Sequence, residues 1–376
     1  MASGVPRKIS AASARSHTRK PKSASSYGLP KGILKKLLLV FLFGVFAWAY
    51  QATRPPPPKI CGSPDGPPVT SPRIKLRDGR HLSYLEYGVP KETAKYKIIF
   101  VHGFDGSKHH NLFAAASLAL IEDLKVYAVS FDRPGYGESD PDPNRTPKSL
   151  TLDIEELADQ LGLGSKFYVV GMSMGGELVW PCLKYIPHRL AGATLIAPVV
   201  NHWWPNFPSN ISKEVYSQMF KQDQWSLRVA HHLPWLTYWW NTQKWFPSSS
   251  VASQSLDMFS PPDREILSKF EGLSEAQKTQ PRQQGEYESL HRDLMIAFGK
   301  WEFDPMELEN PFPNNEGSVH VWQGDDDRFT PVLSQRYIAQ RLPWIKYHEI
   351  AHAGHLFAFA DGMTDTILKT LLDVEE

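Results

Sequence analysis

Residues 168–176 read YVVGMSMGG, and this stretch constrains the fold more than any other. Phe167 to Val170 supply the β-branched and aromatic residues of a buried parallel strand, and small residues then surround Ser173. A helical stretch, Glu177 to Tyr185, follows at once. Strand, tight turn and helix in that order make a nucleophile elbow: the turn forces Ser173 into a strained backbone conformation and lifts its Oγ clear of the sheet edge. Glycine at Gly171 and Gly175 leaves the neighbouring backbone room to pack.

Strand and helix patterns alternate on both sides of this elbow. Upstream, Arg73 to Leu76 and His81 to Tyr87 flank an Asp78-Gly79 turn and predict a β-hairpin. Lys97 to Val101 is a buried strand that runs into His102, Gly103, Phe104, Asp105 and Gly106; a helix is expected over Asn111 to Glu122. The strand Val126 to Phe131 leads into DRPGYGESD, and Leu150 to Leu161 has the spacing of an amphipathic helix. Downstream come a strand at Ala191 to Ala197 and, after a long interruption, a strand at Val319 to Gln323, a helix at Val332 to Arg341 and a strand near Ile345 to Ile350. This alternation predicts an α/β fold, a mostly parallel central sheet with helices on both faces. Ligands of such sheets bind at the carboxyl ends of strands, where His102-Gly103-Phe104 and Ser173 both fall.

The interruption, residues 201–310, reads as an inserted α-helical cap. Seven of the chain's twelve tryptophans, Trp203, Trp204, Trp225, Trp235, Trp239, Trp240 and Trp245, fall within a 45-residue stretch of it, with prolines that break any long helix. They are expected either to roof the serine with an apolar surface or to form the cap's own core and its seam with the body.

An unassisted serine hydroxyl is a poor nucleophile. A histidine must take its proton and return it to the leaving group, and a carboxylate must fix the imidazole's tautomer and stabilise its charged form. Acids follow the penultimate strand at Asp325, Asp326 and Asp327, and histidines follow the last at His352 and His355, giving the order Ser, Asp, His. Two backbone N–H groups must also meet the developing oxyanion; the expected donors are Met174, directly after the serine, and Phe104, directly after His102-Gly103.

Five segments, HGFDG, DRPGYGESD, GMSMGG, GDDDRFTP and HAGHLF, resemble those of the α/β-hydrolase superfamily, and in detail its cap-bearing serine hydrolases of esterase and monoacylglycerol lipase type. The resemblance covers about residues 73–374. It implies the α/β-hydrolase fold and a Ser173, Asp327 and His355 triad. The family's acid stands four residues before a proline, here Pro331, and its histidine follows a glycine and precedes an apolar residue. By the same resemblance His102, Gly103, Gly171 and Gly175 support the site, Asp325 and Asp326 are neighbours of the acid, and His352 is a loop residue. A serine in place of aspartate at the elbow removes dehalogenase and epoxide hydrolase chemistry. Cleavage of a carboxylic ester through an acyl-enzyme is then expected, with a lipid ester favoured by the aromatic cap. The alternatives are a receptor of this fold with little turnover, or an acyltransferase. An anchor and proline linker ahead of the domain is similar to uncharacterised plant members.

Composition narrows the remaining classes. The net charge of +1 argues against a nucleic-acid partner. Two cysteines, Cys61 and Cys182, make no disulfide framework, and the pairs His109-His110 and His231-His232 have no companion ligands at metal spacing, so neither metal nor cofactor is expected. The string from His320 to Asp325 lies along a buried strand and carries no acyltransferase chemistry. Residues 1–64 contain no Asp or Glu. The expected organisation is a basic, Ser-rich region at 1–36, an apolar signal anchor at 37–52, a Pro-rich linker at 53–72, core at 73–200, cap at 201–310 and core again at 311–376. Upstream positive charge predicts a cytosolic N-terminus and a lumenal or extracellular domain. A cleaved signal and a plastid transit peptide are the competing readings. Sequons at Asn144 and Asn210 fit lumenal exposure.

Overall fold

The computed structural model describes residues 31–269 and 279–374, with Met1 and Gly4. Most of the expected basic region at 1–36 and residues 270–278 of the expected cap lie outside the described residues. The described chain divides into two compact units, one ending at Ala52 and one starting at Thr53.

The first unit holds helix α1, Lys31–Thr53, all but its last residue. It begins six residues before the apolar run expected from sequence, because Ile33 and Leu34 continue the apolar surface past Lys35 and Lys36. The span Gly32–Thr53 is long and apolar enough to cross a membrane, about 33 Å at ~1.5 Å per residue.

In the second unit, β1 (Arg73–Lys75) and β2 (His81–Gly88) form the expected hairpin. Next come β3 (Tyr96–Val101), α2 (Leu118–Asp123), β4 (Val126–Phe131), α3 (Pro147–Gln160), β5 (Phe167–Met172), α4 (Met174–Glu177), α5 (Val179–Tyr185) and β6 (Leu190–Ile196). Eight strands share one sheet in the order β1-β2-β4-β3-β5-β6-β7-β8, with β7 at Val319–Gly324 and β8 at Ile345–Ile350. The first two pairings, β1 with β2 and β2 with β4, are antiparallel; all the others are parallel.

The pleat explains the two cores. In β3, Ile99 and Val101 join one buried cluster, with Leu150, Ile154 and Leu157 of α3. Ile98 and Phe100 join the other, with Ile367 and Leu368 of the C-terminal helix Met363–Leu371. A strand buried at every position, as β4 is, therefore needs a helical layer on each face. Helix α3 starts where Thr146 and Ser149 make a capping box ahead of Pro147.

Two details differ from expectation. The single helix expected over Asn111 to Glu122 is split, because Asn111 caps a short turn at Leu112–Ala115 and Ala116 turns extended. Hydrogen bonding to the domain also begins well upstream of Arg73. Cys61 N–H donates to Gln284 Oε1 at 2.9 Å, and the Thr70 and Ser71 N–H groups donate to Glu138 at 3.0 Å each. Both cysteines are buried free thiols.

Between β6 and β7 the described residues hold helices α6 (Ser209–Gln218), α7 (Lys221–His232), α8 (Thr237–Thr242), α9 (Pro261–Lys269) and α10 (Arg292–Ala297). Met174 packs among Tyr216, Leu227, Ala230, Leu294, Ala297 and Phe298, which joins this helical insertion to the elbow. A second seam is ionic. Asp293 of α10 receives Arg133 at 2.8 Å, Arg145 at 2.7 Å and the Tyr136 hydroxyl at 2.6 Å, all four side chains buried.

Candidate active site

Ser173 stands between β5 and α4 with φ 56° and ψ −122°, a backbone region that side chains other than glycine enter only at a cost of order 1–3 kcal/mol. Close packing holds it there. Ser173 N–H donates to Ile196 O at 2.8 Å, and Val199 N–H donates to Ser173 O at 3.1 Å. A Cβ at Gly175 would stand 2.1 Å from Val101 O, and one at Gly171 would stand 2.3 Å from Gly175 O. Glycine at both positions lets the helix after the serine press onto the end of β3.

The acid and the histidine occupy adjacent loops because β7 and β8 pair in parallel. His355 Nδ1 is 2.8 Å from Asp327 Oδ2, so with Asp327 ionised Nδ1 carries the proton and Nε2 is the free base. Asp327 is buried and accepts further bonds from Gln323 Nε2 at 2.9 Å, Thr330 Oγ1 at 2.6 Å, Phe329 N–H at 2.8 Å and Thr330 N–H at 3.0 Å. Burial alone would raise its pKa, but the His355 charge and these bonds outweigh it and hold Asp327 below the usual carboxylate range. Burial would lower the pKa of His355; the Asp327 charge and hydrogen bond, with the charge of Asp263, more than offset it, so the imidazole sits above its ordinary value. Asp325 and Asp326 face other tasks: Asp325 accepts from Ala353 N–H at 3.3 Å, and Asp326 is exposed. His352 is exposed and has φ 57°.

One cavity of about 570 Å³ brings Gly103, Phe104, Ser173, Met174 and His355 together. His102 lies behind it, fully buried, with Nδ1 2.8 Å from Gly103 O and Nε2 accepting from Arg133 N–H at 3.1 Å. Burial and the nearby Arg133 charge keep this imidazole neutral, with its pKa well below the ordinary value. It shapes the loop that carries Phe104. His320 is buried in β7, with Nδ1 2.9 Å from His348 Nε2, and does not line the cavity.

The insertion's share of the wall is apolar but not tryptophan. Met219, Phe220, Leu227, Val251, Met258 and Phe259 line the cavity, and among the described residues no tryptophan does. Trp204 is buried at the seam, whereas Trp225, Trp235 and Trp245 are 54%, 59% and 77% exposed. Of the two roles open to the tryptophans, a roof over the serine is not the one adopted: Met, Leu, Val and Phe side chains line the cavity, Trp204 packs at the seam, and several indoles face outward.

Two contacts from the insertion had no local signature in the sequence. Arg282 grips Asp105 through Nε at 2.8 Å and Nη2 at 2.6 Å, which ties the insertion to the loop carrying Phe104. Asp263 of α9 receives two backbone N–H groups of the histidine loop. Asp263 follows Ser260-Pro261-Pro262, which marks a helix start but says nothing of a partner far along the chain.

Known proteins share this fold. The protein ABHD14A of Mus musculus is 26% identical over 162 residues, 43% of this chain and 63% of the mouse protein. The chain thus spans somewhat under two thirds of that relative's length. Among solved structures, the enol-lactonase of Burkholderia xenovorans LB400 superposes with a TM-score of 0.55 at 17% identity, over 80% of this chain and all of that one. A thermophilic esterase of Thermogutta terrifontis gives 0.51 at 19% identity, over 82% of this chain and all of that one. These likenesses bear on the fold. The alpha/beta hydrolase fold family matches residues 96–361, and with the eight-stranded sheet, the strained serine and the two loops beside it, the chain belongs to that family.

Proposed function

We propose that this protein is a serine hydrolase that cleaves a carboxylic ester with an apolar acyl group. The observation that carries the reading is the 2.8 Å contact of His355 Nδ1 with Asp327 at a cavity that also holds the strained Ser173. Ser173 Oγ attacks the ester carbonyl while His355 Nε2 takes its proton, and the N–H groups of Phe104 and Met174 receive the oxyanion. As the carbon–oxygen bond breaks, His355 gives that proton to the leaving alkoxide, and an acyl-Ser173 remains. Water, deprotonated by the same nitrogen, releases the acid and restores the serine. The lining of Phe, Leu, Met and Val side chains suits an acyl chain rather than a charged acid. An esterase and an enol-lactonase stand among the solved structures that this chain resembles, which fits the same chemistry.

Full-length protein in detergent micelles, treated with a fluorescent fluorophosphonate, tests this reading without knowledge of the substrate. Labelling is expected in the wild type and absent in Ser173→Ala. A folded wild type that takes no label, yet gains thermal stability with apolar ligands, would favour a receptor instead.

Helix α1 is read as a single-pass anchor with the hydrolase domain on the lumenal or outer side. Positive charge upstream and the exposed side chains of Asn144 and Asn210 support this orientation. A mobility shift of the native protein on glycosidase treatment is expected; its absence would favour a cytosolic or plastid location.

A further inference from the structure

We propose that Asp263, a residue of the helical insertion, is a positioning residue for His355: its carboxylate holds the backbone of the histidine loop in the conformation that aims Nε2 at Ser173. This inference rests on the serine-hydrolase reading above.

Asp263 is fully buried at the first turn of α9, and it does not cap that helix alone. Its Oδ2 accepts from His355 N–H at 3.0 Å and its Oδ1 from Leu356 N–H at 2.6 Å. Ser260 Oγ, also fully buried, donates to Oδ2 at 2.9 Å, and Ser260 N–H does so at 3.2 Å. Four donors thus meet one carboxylate, which compensates a buried charge. The approach is as close as the chain permits. A Cβ at Gly354 would stand 2.2 Å from Asp263 Oδ2 and 2.1 Å from Ser260 Oγ, so only glycine lets the loop reach the carboxylate.

The contact is not incidental packing, because the same stretch of insertion also braces the acid loop. The Phe259 ring lies 4.9 Å from that of Phe329, and Phe329 stacks on the His355 imidazole at 4.6 Å. His355 is therefore fixed on three sides: Asp327 holds its Nδ1, Phe329 its face and Asp263 its backbone. The charged groups that bear on it are Asp327 from the acid loop and Asp263 from α9. In a serine hydrolase the imidazole must stay within a fraction of an ångström of its working position, and a misplacement of ~1 Å costs on the order of 100-fold in rate. A clasp on the backbone fixes what the Nδ1 bond alone leaves free, the height of the ring over the serine.

The test compares fluorophosphonate labelling rates of the full-length wild type, Asp263→Asn and Asp263→Ser across pH 5 to 9, with thermal unfolding as a folding control. Each variant removes the charge and at least one acceptor. The expected result is a labelling rate lower by about 10-fold to 100-fold at the plateau, with the acidic limb of the profile moved to lower pH. The sign follows from charge: a carboxylate that stabilises the imidazolium is gone, so His355 loses its proton more readily. A residue that only supports folding would lower the amount of active protein and leave the limb in place. Either folded variant with an unchanged rate and limb overturns the proposal. Hydrogen exchange in the unmutated protein needs no variant: the N–H groups of His355 and Leu356 are expected to be protected, and exchange at the rate of free loop overturns the clasp. Failure of the wild type to label at all would instead strike the serine-hydrolase reading, whatever the variants do.

Discussion

The two walls of the cavity are built by different rules. The core wall consists of loops that end parallel strands, and each is fixed by backbone that cannot move: Ser173 is stapled to β6, and the acid and histidine loops are bonded to each other through Asp325 and Asp326 N–H groups donating to Ile350 and Ala353 O at 3.1 and 2.9 Å. The helical insertion has no sheet to define it. It is held by side chains, at Asp293, Arg282 and Asp263, each of which reaches a different core loop. The difference teaches where precision comes from: backbone bonds between strand ends place the serine and acid loops, while the helical insertion is fastened by charged side chains, and through Asp263 one of those fasteners reaches back to the histidine loop.

Three substitutions would break or sharpen that contrast. Asp327→Asn lies in the core wall and should leave the fold intact but set the wrong imidazole tautomer; turnover is expected to fall by roughly 10⁴-fold, and a loss below tenfold would remove Asp327 from the proposed triad. Asp293→Ala strips the partner from two buried guanidinium groups of the core. A cost of about 3–5 kcal/mol is expected, seen as a drop in Tm on the order of 10 °C in thermal denaturation. Should the Tm hold, the insertion is not fastened by charge. The smallest effect is expected for Met258→Ala in the cavity's insertion-side wall, where a few-fold shift of kcat/KM toward longer acyl chains, measured on a series of nitrophenyl esters, should appear with little change in labelling rate. An equal change for every chain length would mean Met258 does not border the acyl group.

The contrast also explains what could be read in advance. Strands such as Val126–Phe131 and Ile345–Ile350 were legible from the sequence, because short runs holding β-branched and aromatic residues between turn-forming or helical stretches are local signals. The candidate site was only partly a local signal: the strand and turn mark Ser173, but three acids and two histidines follow the last two strands, and it is the resemblance to the family that points to Asp327 and His355 among them. Asp263 carried no such mark. Its partners lie 92 residues away, and an aspartate after two prolines looks like any helix start. The tryptophans left two roles open for a related reason: composition reports that a segment is aromatic but not which way its rings turn. Phe220, Met258 and Phe259 face the cavity while Trp245 faces out, a sorting made by tertiary packing alone.

The clasp between Asp263 and the histidine loop has a consequence in time. At synthesis rates of roughly 5–20 residues per second, the 92 residues that separate Asp263 from His355 take on the order of 5–20 s to emerge. Throughout that interval the nascent chain holds a carboxylate whose two backbone donors do not yet exist, on a helix that cannot seat. Ser173 is made earlier still and has no base beside it. Asp293 and Arg282 have their partners upstream and can be fastened as they are made, so α9 should be the part of the insertion left unfastened until the last strand arrives. A hydrolase assembled in this order acquires its reactivity as its final act of folding.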